Sequence, residues 1–320
     1  WYAVKEDGTL WVWGNVQYGY RGDGTIRSYN APRPVQIVIP GNRKVKQVAA
    51  AVVVIVLCTD GTVWTFGNTS ASNLGRPVNG NDFARPVQLT GLSNITQVAG
   101  GRLWNYALAA DGTLYSWGYW GEYQGRTSGV PINTPTPAPN ITNALPAPIQ
   151  KIVTSMFATH VVLTDGSLWS WGGSAMGTVG DGTYIDALTG ADLLARGVAM
   201  RYLPVRIAPN VRFKDVESNG CYTAYCMAID EEDQIYFWGR FKGGISGMGA
   251  KFTTVNMGAY YGNDFDQPWP TPINPFAIVN QPTIWQVHAR TCITNPGAPN
   301  CVALAPNTPP RANAGPTQNI

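Results

Sequence analysis

The residues able to do chemistry in this 320-residue chain are few, and their spacing limits what they can do. Only two histidines occur, His160 and His288, so a histidine-rich metal centre or a Ser-His-Asp triad has little to draw on. Acidic residues are scattered, with no pair in one unit spaced as a catalytic dyad. Asn263, Asp264 and Asp266 could bind Ca²⁺, but the full twelve-residue calcium-loop pattern is absent. The expectation is therefore no catalytic residue, no metal site and no cofactor. Five cysteines remain. Cys221 and Cys226 flank a short loop and Cys292 and Cys301 a longer one, at the same place in a repeating unit. Two independent pairs at an equivalent hairpin read as disulfides and imply an oxidising compartment; the alternative is four buried thiols. Cys58 has no positional partner and reads as a core thiol.

Aromatic side chains are the other candidates. Tyr18, Tyr20, Tyr119, Trp120, Tyr123 and Phe241 all follow a Trp-Gly pair. Exposed together on one face, they would form a hot-spot patch for a protein or stack on sugars. The alternative is that they plug the strand ends. Arg21-Gly22-Asp23 has the form of an integrin-binding tripeptide. However, Gly22-Asp23-Gly24-Thr25 recurs as Gly180-Asp181-Gly182-Thr183, so a structural repeat explains it. His160 falls within a strand and reads as packing. Asn68, Asn94 and Asn140 head Asn-x-Ser/Thr sequons, which matter only if the source glycosylates.

These residues are positioned by a stretch to which the chain keeps returning. Asp7-Gly8-Thr9-Leu10-Trp11-Val12-Trp13-Gly14 reappears as Asp60-Gly61-Thr62-Val63-Trp64-Thr65-Phe66-Gly67 and as Asp111-Gly112-Thr113-Leu114-Tyr115-Ser116-Trp117-Gly118. A fourth copy is Asp165-Gly166-Ser167-Leu168-Trp169-Ser170-Trp171-Gly172, and a degraded fifth ends at Trp238-Gly239. A period of about fifty residues marks a repeat architecture. Asp-Gly is a favoured hairpin turn, and the alternation after it is that of a short buried strand. An earlier strand also recurs: Val45-Lys46-Gln47-Val48, Ile95-Thr96-Gln97-Val98, Ile149-Gln150-Lys151-Ile152, Phe213-Lys214-Asp215-Val216 and Ile284-Trp285-Gln286-Val287. A proline-marked strand closes each unit (Arg33-Pro34-Val35, Arg85-Pro86-Val87, Leu203-Pro204-Val205, Thr271-Pro272-Ile273), and proline belongs on an edge because it cannot donate to the ladder.

Four strands per unit are the blade of a β-propeller. The order of Ala-Leu strand, Asp-Gly turn, aromatic-Trp-Gly strand, Gly-rich loop and Pro-Val strand resembles the repeat of the regulator of chromosome condensation family. The resemblance runs from Trp1 to about Ala305 and is weaker in the fifth copy; of that family's Gly-Gln-Leu-Gly loop only Asn73-Leu74-Gly75 comes close. We thus expect an all-β propeller of four-stranded blades over residues 1–305. Its repeats fall near 1–44, 45–94, 95–148, 149–212 and 213–283, with closing strands at 284–305 and an extended tail at 306–320. About five blades account for the chain; the family's usual seven leaves six or seven open, with a partner or a missing segment supplying the rest. Insertions at 173–201 and 240–266 are expected to form loops on one face, where binding often resides. Tyr260-Tyr261-Gly262-Asn263-Asp264-Phe265 echoes Asn79-Gly80-Asn81-Asp82-Phe83, which reads as a shared turn.

Composition bounds the function. Charged residues make up 13% of the chain and the net charge is +3 with no Lys/Arg run, which argues against nucleic acid. No run of eighteen apolar residues exists, so no membrane-spanning helix is expected. The chain opens on Trp1 without a signal-peptide pattern, which reads as a mature or excised chain. Pro309 to Pro316 resembles the opening of a polycystic-kidney-disease-type immunoglobulin-like domain, common in bacterial surface proteins. In the resembling family, one branch exchanges nucleotide on a small GTPase and another inhibits a secreted β-lactamase, both by protein contact. The expectation is a secreted or cell-surface, non-catalytic module that binds a protein or glycan and closes its ring with its terminal strands. The alternatives are an extracellular filament subunit that self-associates through those strands, and a glycan-active enzyme.

Overall fold

The computed structural model describes residues 1–27, 30–68, 73–102, 104–119, 121–126, 132–175, 177–183, 200–218, 225–241 and 265–273, the last stretch and residues 122, 240 and 241 without their side chains. These form five antiparallel sheets in chain order. The first holds β1 (Tyr2–Val4), β2 (Leu10–Asn15) and β3 (Asn30–Ile37). The second holds β4 (Val45–Ala50), β5 (Val53–Cys58), β6 (Val63–Gly67) and β7 (Val87–Gln88). The third runs from β8 (Ile95–Gly100) through β9 (Trp104–Ala109) and β10 (Leu114–Gly118) to β11 (Ile132–Pro137). The fourth comprises β12 (Ile149–Thr154), β13 (Ala158–Leu163), β14 (Leu168–Gly173) and β15 (Met200–Ile207). The fifth comprises β16 (Phe213–Ser218), β17 (Tyr225–Asp230), β18 (Ile235–Phe241) and β19 (Phe265–Ile273). The expected four-strand unit is present in sheets two to five, and each proline-marked strand is an edge. The strands at 284–305 expected to close the ring, and the tail, lie outside the described residues.

The core lies between sheets. In β5 every residue is buried, because its two faces meet different neighbours. Val54, Val56 and Cys58 pack with Leu10, Val12 and Ile37 of sheet one. Val53, Ile55 and Leu57 pack with Val98, Ala107 and Trp117 of sheet three. Burial on both faces is why the strand reads as one apolar run. On the Trp-Gly strands the aliphatic parity faces the next sheet and the last aromatic faces the preceding one: Leu168 packs with sheet five and Trp171 with sheet three.

Those last aromatics also solve a polar problem. Each of the first four loops after a Trp-Gly strand turns a backbone carbonyl into the seam, and a buried carbonyl needs a donor. Trp117 Nε1 donates to Asn73 O at 2.9 Å, and Trp238 Nε1 donates to Thr178 O at 3.1 Å. At the equivalent Tyr123 O the donor is the Tyr106 hydroxyl, 3.2 Å away, which in turn accepts from Trp171 Nε1 at 2.9 Å. Phe66 holds the aromatic position facing Tyr20 O and has no donor; there the Tyr2 hydroxyl donates at 2.5 Å. The contact requires glycine two residues on. At Gly75 (φ 71°) and Gly180 (φ 85°) an added Cβ would come within 2.8 Å of the Trp117 and Trp238 indoles.

The first strands β4, β8, β12 and β16 meet neighbour to neighbour. Each carries a register slip, at Val45/Gln47, Ile95/Gln97, Ile149/Lys151 and Phe213/Asp215. A bulge re-aims side chains, and here it turns them toward the next strand. The Gln47 amide donates to Val98 O at 2.9 Å and accepts from Val98 N at 3.0 Å. Gln97 repeats this on Gln150 O and Ile152 N at 2.5 and 3.4 Å.

Replacing the indole while keeping a ring separates the hydrogen bond from the packing. Trp238→Phe should lower stability by about 1–3 kcal/mol, because Thr178 O loses its indole donor. Trp117→Phe should cost less, because Asn73 O keeps its 2.9 Å bond from Asn105 Nδ2. Denaturant melts of both variants check this; equal costs would contradict the capping role.

Candidate functional site

The strand order gives the molecule two unlike faces. One bears the Asp-Gly turns; the other bears the loops that follow the Trp-Gly strands. On the first face the carboxylates are engaged within their own turns. Asp7, Asp60, Asp111 and Asp165 each accept from the backbone N–H two residues on. The Thr9 hydroxyl and amide hold Asp7 down to about 2, and the equivalent bonds hold the other three below the ordinary carboxylate range. The Thr or Ser hydroxyls then accept from the indoles of Trp11, Trp64 and Trp169 at 2.8–3.0 Å. Groups held this way are turn locks, not acids or bases.

On the loop face the expected aromatics divide. Tyr18 and Tyr119 are exposed, by 55% and 41%. Tyr20 and Tyr123 are buried, which corrects their assignment to a surface patch. The Tyr20 hydroxyl donates to Val52 O at 2.6 Å, and Tyr123 stacks on Trp104 with centroids 4.7 Å apart. Both sit at the capped carbonyl, so their rings point into the seam. Trp120 lies outside the described residues, as does the side chain of Phe241.

Sequence reasoning missed a seam between the first two loops. Gly24 N donates to Ala84 O at 2.9 Å, and a Cβ on Gly19 would come within 2.8 Å of Ala84 Cα. Beside this contact Tyr18 sits at φ 56°, in the Gln17–Tyr20 turn that Tyr20 N closes onto Gln17 O at 3.3 Å, a conformation uncommon for a bulky side chain. Ile26 and Val78 are exposed beside the same loops. Asp23 and Asp82 are paired with Arg21 and Arg76 at 2.6 and 2.9 Å. The Arg21–Asp23 pairing folds the Arg-Gly-Asp tripeptide onto itself.

A cavity of about 670 Å³ opens where the bulged first strands converge, lined by Lys46, Gln47, Gln97, Lys151, Lys214 and Asp215 among others. Lys151 replaces the glutamine of the preceding strands and pairs with both Asp215 and Glu217. Burial opposes the Lys151 charge, but Glu217 and Asp215 hold its pKa above the ordinary value. Burial raises Asp215 despite Lys151, because one ammonium is shared between two carboxylates. The cavity's side chains are thus largely engaged in joining strands.

His160 and Cys226 meet in the buried seam between sheets four and five, with Sγ 2.9 Å from Nε2. Both are fully buried, and burial pushes His160 down to about 3 and the Cys226 thiol well up. A neutral, inaccessible pair is inert, as the packing expectation for His160 required. Cys226 is a free thiol, so the expected Cys221–Cys226 disulfide is corrected: its sulfur faces His160 across the seam. Cys221, Cys292 and Cys301 lie outside the described residues, as do Asn263 and Asp264. Cys58 is free and buried. Among the described residues no cluster of His, Cys, Asp and Glu could hold a metal ion, and no helix is long and apolar enough to cross a membrane.

Residues 60–108 match the regulator of chromosome condensation (RCC1) repeat family. A solved structure of Prp20p from Saccharomyces cerevisiae, studied for its binding to Gsp1p and histones, superposes over 91% of this chain and 64% of its own with a TM-score of 0.66 at 22% identity. The fold is an RCC1-like β-propeller. The mitochondrial RCC1 domain-containing protein RUG3 of Arabidopsis thaliana is 26% identical over 76% of this chain. The human E3 ubiquitin-protein ligase HERC2 is 29% identical over 57% of it. The propeller chain spans 52% of the first of these relatives and 4% of the second.

The His160 pair sets a pH dependence. Its folded pKa lies near 3 against 6.5 for the free side chain, so the unfolded chain binds the proton first as pH falls. Stability is full above 6.5 and is lost on acidification toward 3. The stability difference between wild type and His160→Gln should shrink by about 1.4 kcal/mol per pH unit between pH 6 and 4. A flat difference across that window would contradict the buried neutral imidazole.

Proposed function

We propose that this chain is a non-catalytic binding module that engages a protein through the loop face of its propeller. The observation carrying this is Tyr18, 55% exposed and held at φ 56° in a tight turn beside the seam between two loops. A large side chain kept in a costly conformation with its ring in solvent is a poor stability device and a good contact. The condition of the titratable groups supports the non-catalytic part: the turn carboxylates are bonded in place and His160 is sealed in the core. The described binding of Prp20p to Gsp1p and histones is in keeping with a protein ligand.

A glycan ligand is the second reading, favoured by the exposed rings of both Tyr18 and Tyr119. An extracellular or cell-surface location is part of the proposal only through Cys292 and Cys301, since Cys226 is a free thiol. The filament alternative rests on terminal strands outside the described residues.

A photo-crosslinking amino acid at position 18 should yield protein adducts in the native source. The same group at Val38, 60% exposed on the Asp-Gly face, should not. Equal labelling at both positions, or none at 18, overturns the loop-face assignment. Binding on a glycan array that Tyr18→Ala and Tyr119→Ala abolish, without protein adducts, would replace the protein by a sugar.

A further inference from the structure

Charge on the loop face is unbalanced where the first two loops meet. The carboxylates there, Asp23 and Asp82, are each occupied by an arginine, Arg21 and Arg76. Arg27 and Arg85 are exposed, and no ion pair among the described residues includes either. Arg85 is placed by the fold: its guanidinium lies over Gly24, where an added Cβ would come within 2.6 Å of Nε. It therefore stands at the seam, between the loop that carries Tyr18 and Ile26 and the loop that carries Val78. These three side chains are exposed by 55%, 43% and 38%.

Building on the protein-binding reading, we infer that this seam docks an acidic segment of a partner protein that also carries an apolar side chain. A guanidinium offers a planar fork of donors that fits a carboxylate bidentately. Among the described residues the local carboxylates are already spent, which leaves Arg27 and Arg85 open to an acidic group from outside. Tyr18, Ile26 and Val78 supply an apolar platform beside them, a combination in which a rigid aromatic and an arginine carry most of the binding free energy. A basic segment would meet uncompensated like charge, and a purely apolar one would leave the guanidinium groups poorly solvated. A sugar would use the Tyr18 ring but would leave the two charges without a role.

The test uses the whole chain, biotinylated and panned against a random dodecapeptide phage library. Selected clones should be enriched in Asp and Glu together with at least one aromatic or aliphatic residue. A synthetic peptide from the leading clone, followed by fluorescence anisotropy, should lose about tenfold or more in affinity for Arg85→Glu and several-fold for Tyr18→Ala. Lys44→Glu, on the opposite face, should leave it unchanged, and raising the salt should weaken it. Circular dichroism of each variant shows that the fold is kept. Clones without acidic enrichment, or acidic clones that bind Arg85→Glu undiminished, overturn the inference while adducts at position 18 keep the loop-face reading. Failure to select any clone, with no adduct at position 18, overturns both.

Discussion

One backbone carbonyl in each of the first four sheets must find a donor inside a buried seam, and the rest of the structure is arranged around how it does so. Left unpaired, such a carbonyl costs about 1–3 kcal/mol. The donor must cross from one strand to a loop without opening a cavity. Sheets two and four leave their loop carbonyls, Asn73 O and Thr178 O, to the indole of the next sheet. Sheets one and three reach their own, Tyr20 O and Tyr123 O, with Tyr2 of β1 and Tyr106 of β9. The aromatic of the following sheet changes to suit: Phe66 needs no partner, and the Trp171 indole is absorbed by the Tyr106 hydroxyl. The two solutions place the loop at the same position in the seam, so the repeats keep one geometry with different side chains.

That seam is also what makes the loop face a credible binding surface. Loops anchored by buried carbonyls and by close glycine contacts present the Gln17–Tyr20 turn, with Tyr18 at φ 56°, on a fixed base. On the opposite side, hydroxyl and amide donors engage the Asp-Gly carboxylates, and at the axis the bulged glutamines tie the first strands together. The molecule thus uses most of its polar groups to join neighbours. Tyr18, Arg27 and Arg85 are among those left over, and they gather where the first two loops meet.

Much of this was legible in the sequence because it is local. Asp-Gly turns, alternating strands and proline-marked edges each depend on a few adjacent residues, and the period of the Trp-Gly pairs displayed the sheets directly. Loop residues have no such period, so Tyr20 and Tyr123 could not be assigned an inward direction from spacing to Trp-Gly. Aligned instead on the glycine two residues later, Gly22 and Gly125, they fall in register with Asn73 and Thr178, and that signal would have shown their burial. Proximity in sequence pairs Cys226 with Cys221, whereas its contact is His160, 66 residues away in an adjacent sheet. The repeated Gln47 and Gln97 were visible as letters. Their role was not, because it depends on a bulge that only the register reveals. The seam of Tyr18 and Arg85 was hidden for the same reason: its parts come from two repeats.

Hydrogen exchange of the tryptophan indole protons tests the carbonyl-capping account most directly. The N–H groups of Trp117, Trp171 and Trp238 donate into buried seams, whereas those of Trp11, Trp64 and Trp169 donate to a hydroxyl of their own turn. The account predicts that the first three exchange only with global unfolding, at rates that follow denaturant stability. The second three should exchange through local opening, far faster. Exchange of Trp117 or Trp238 as rapid as that of Trp11 would contradict it, since a cap that opens locally cannot be what fixes the loops.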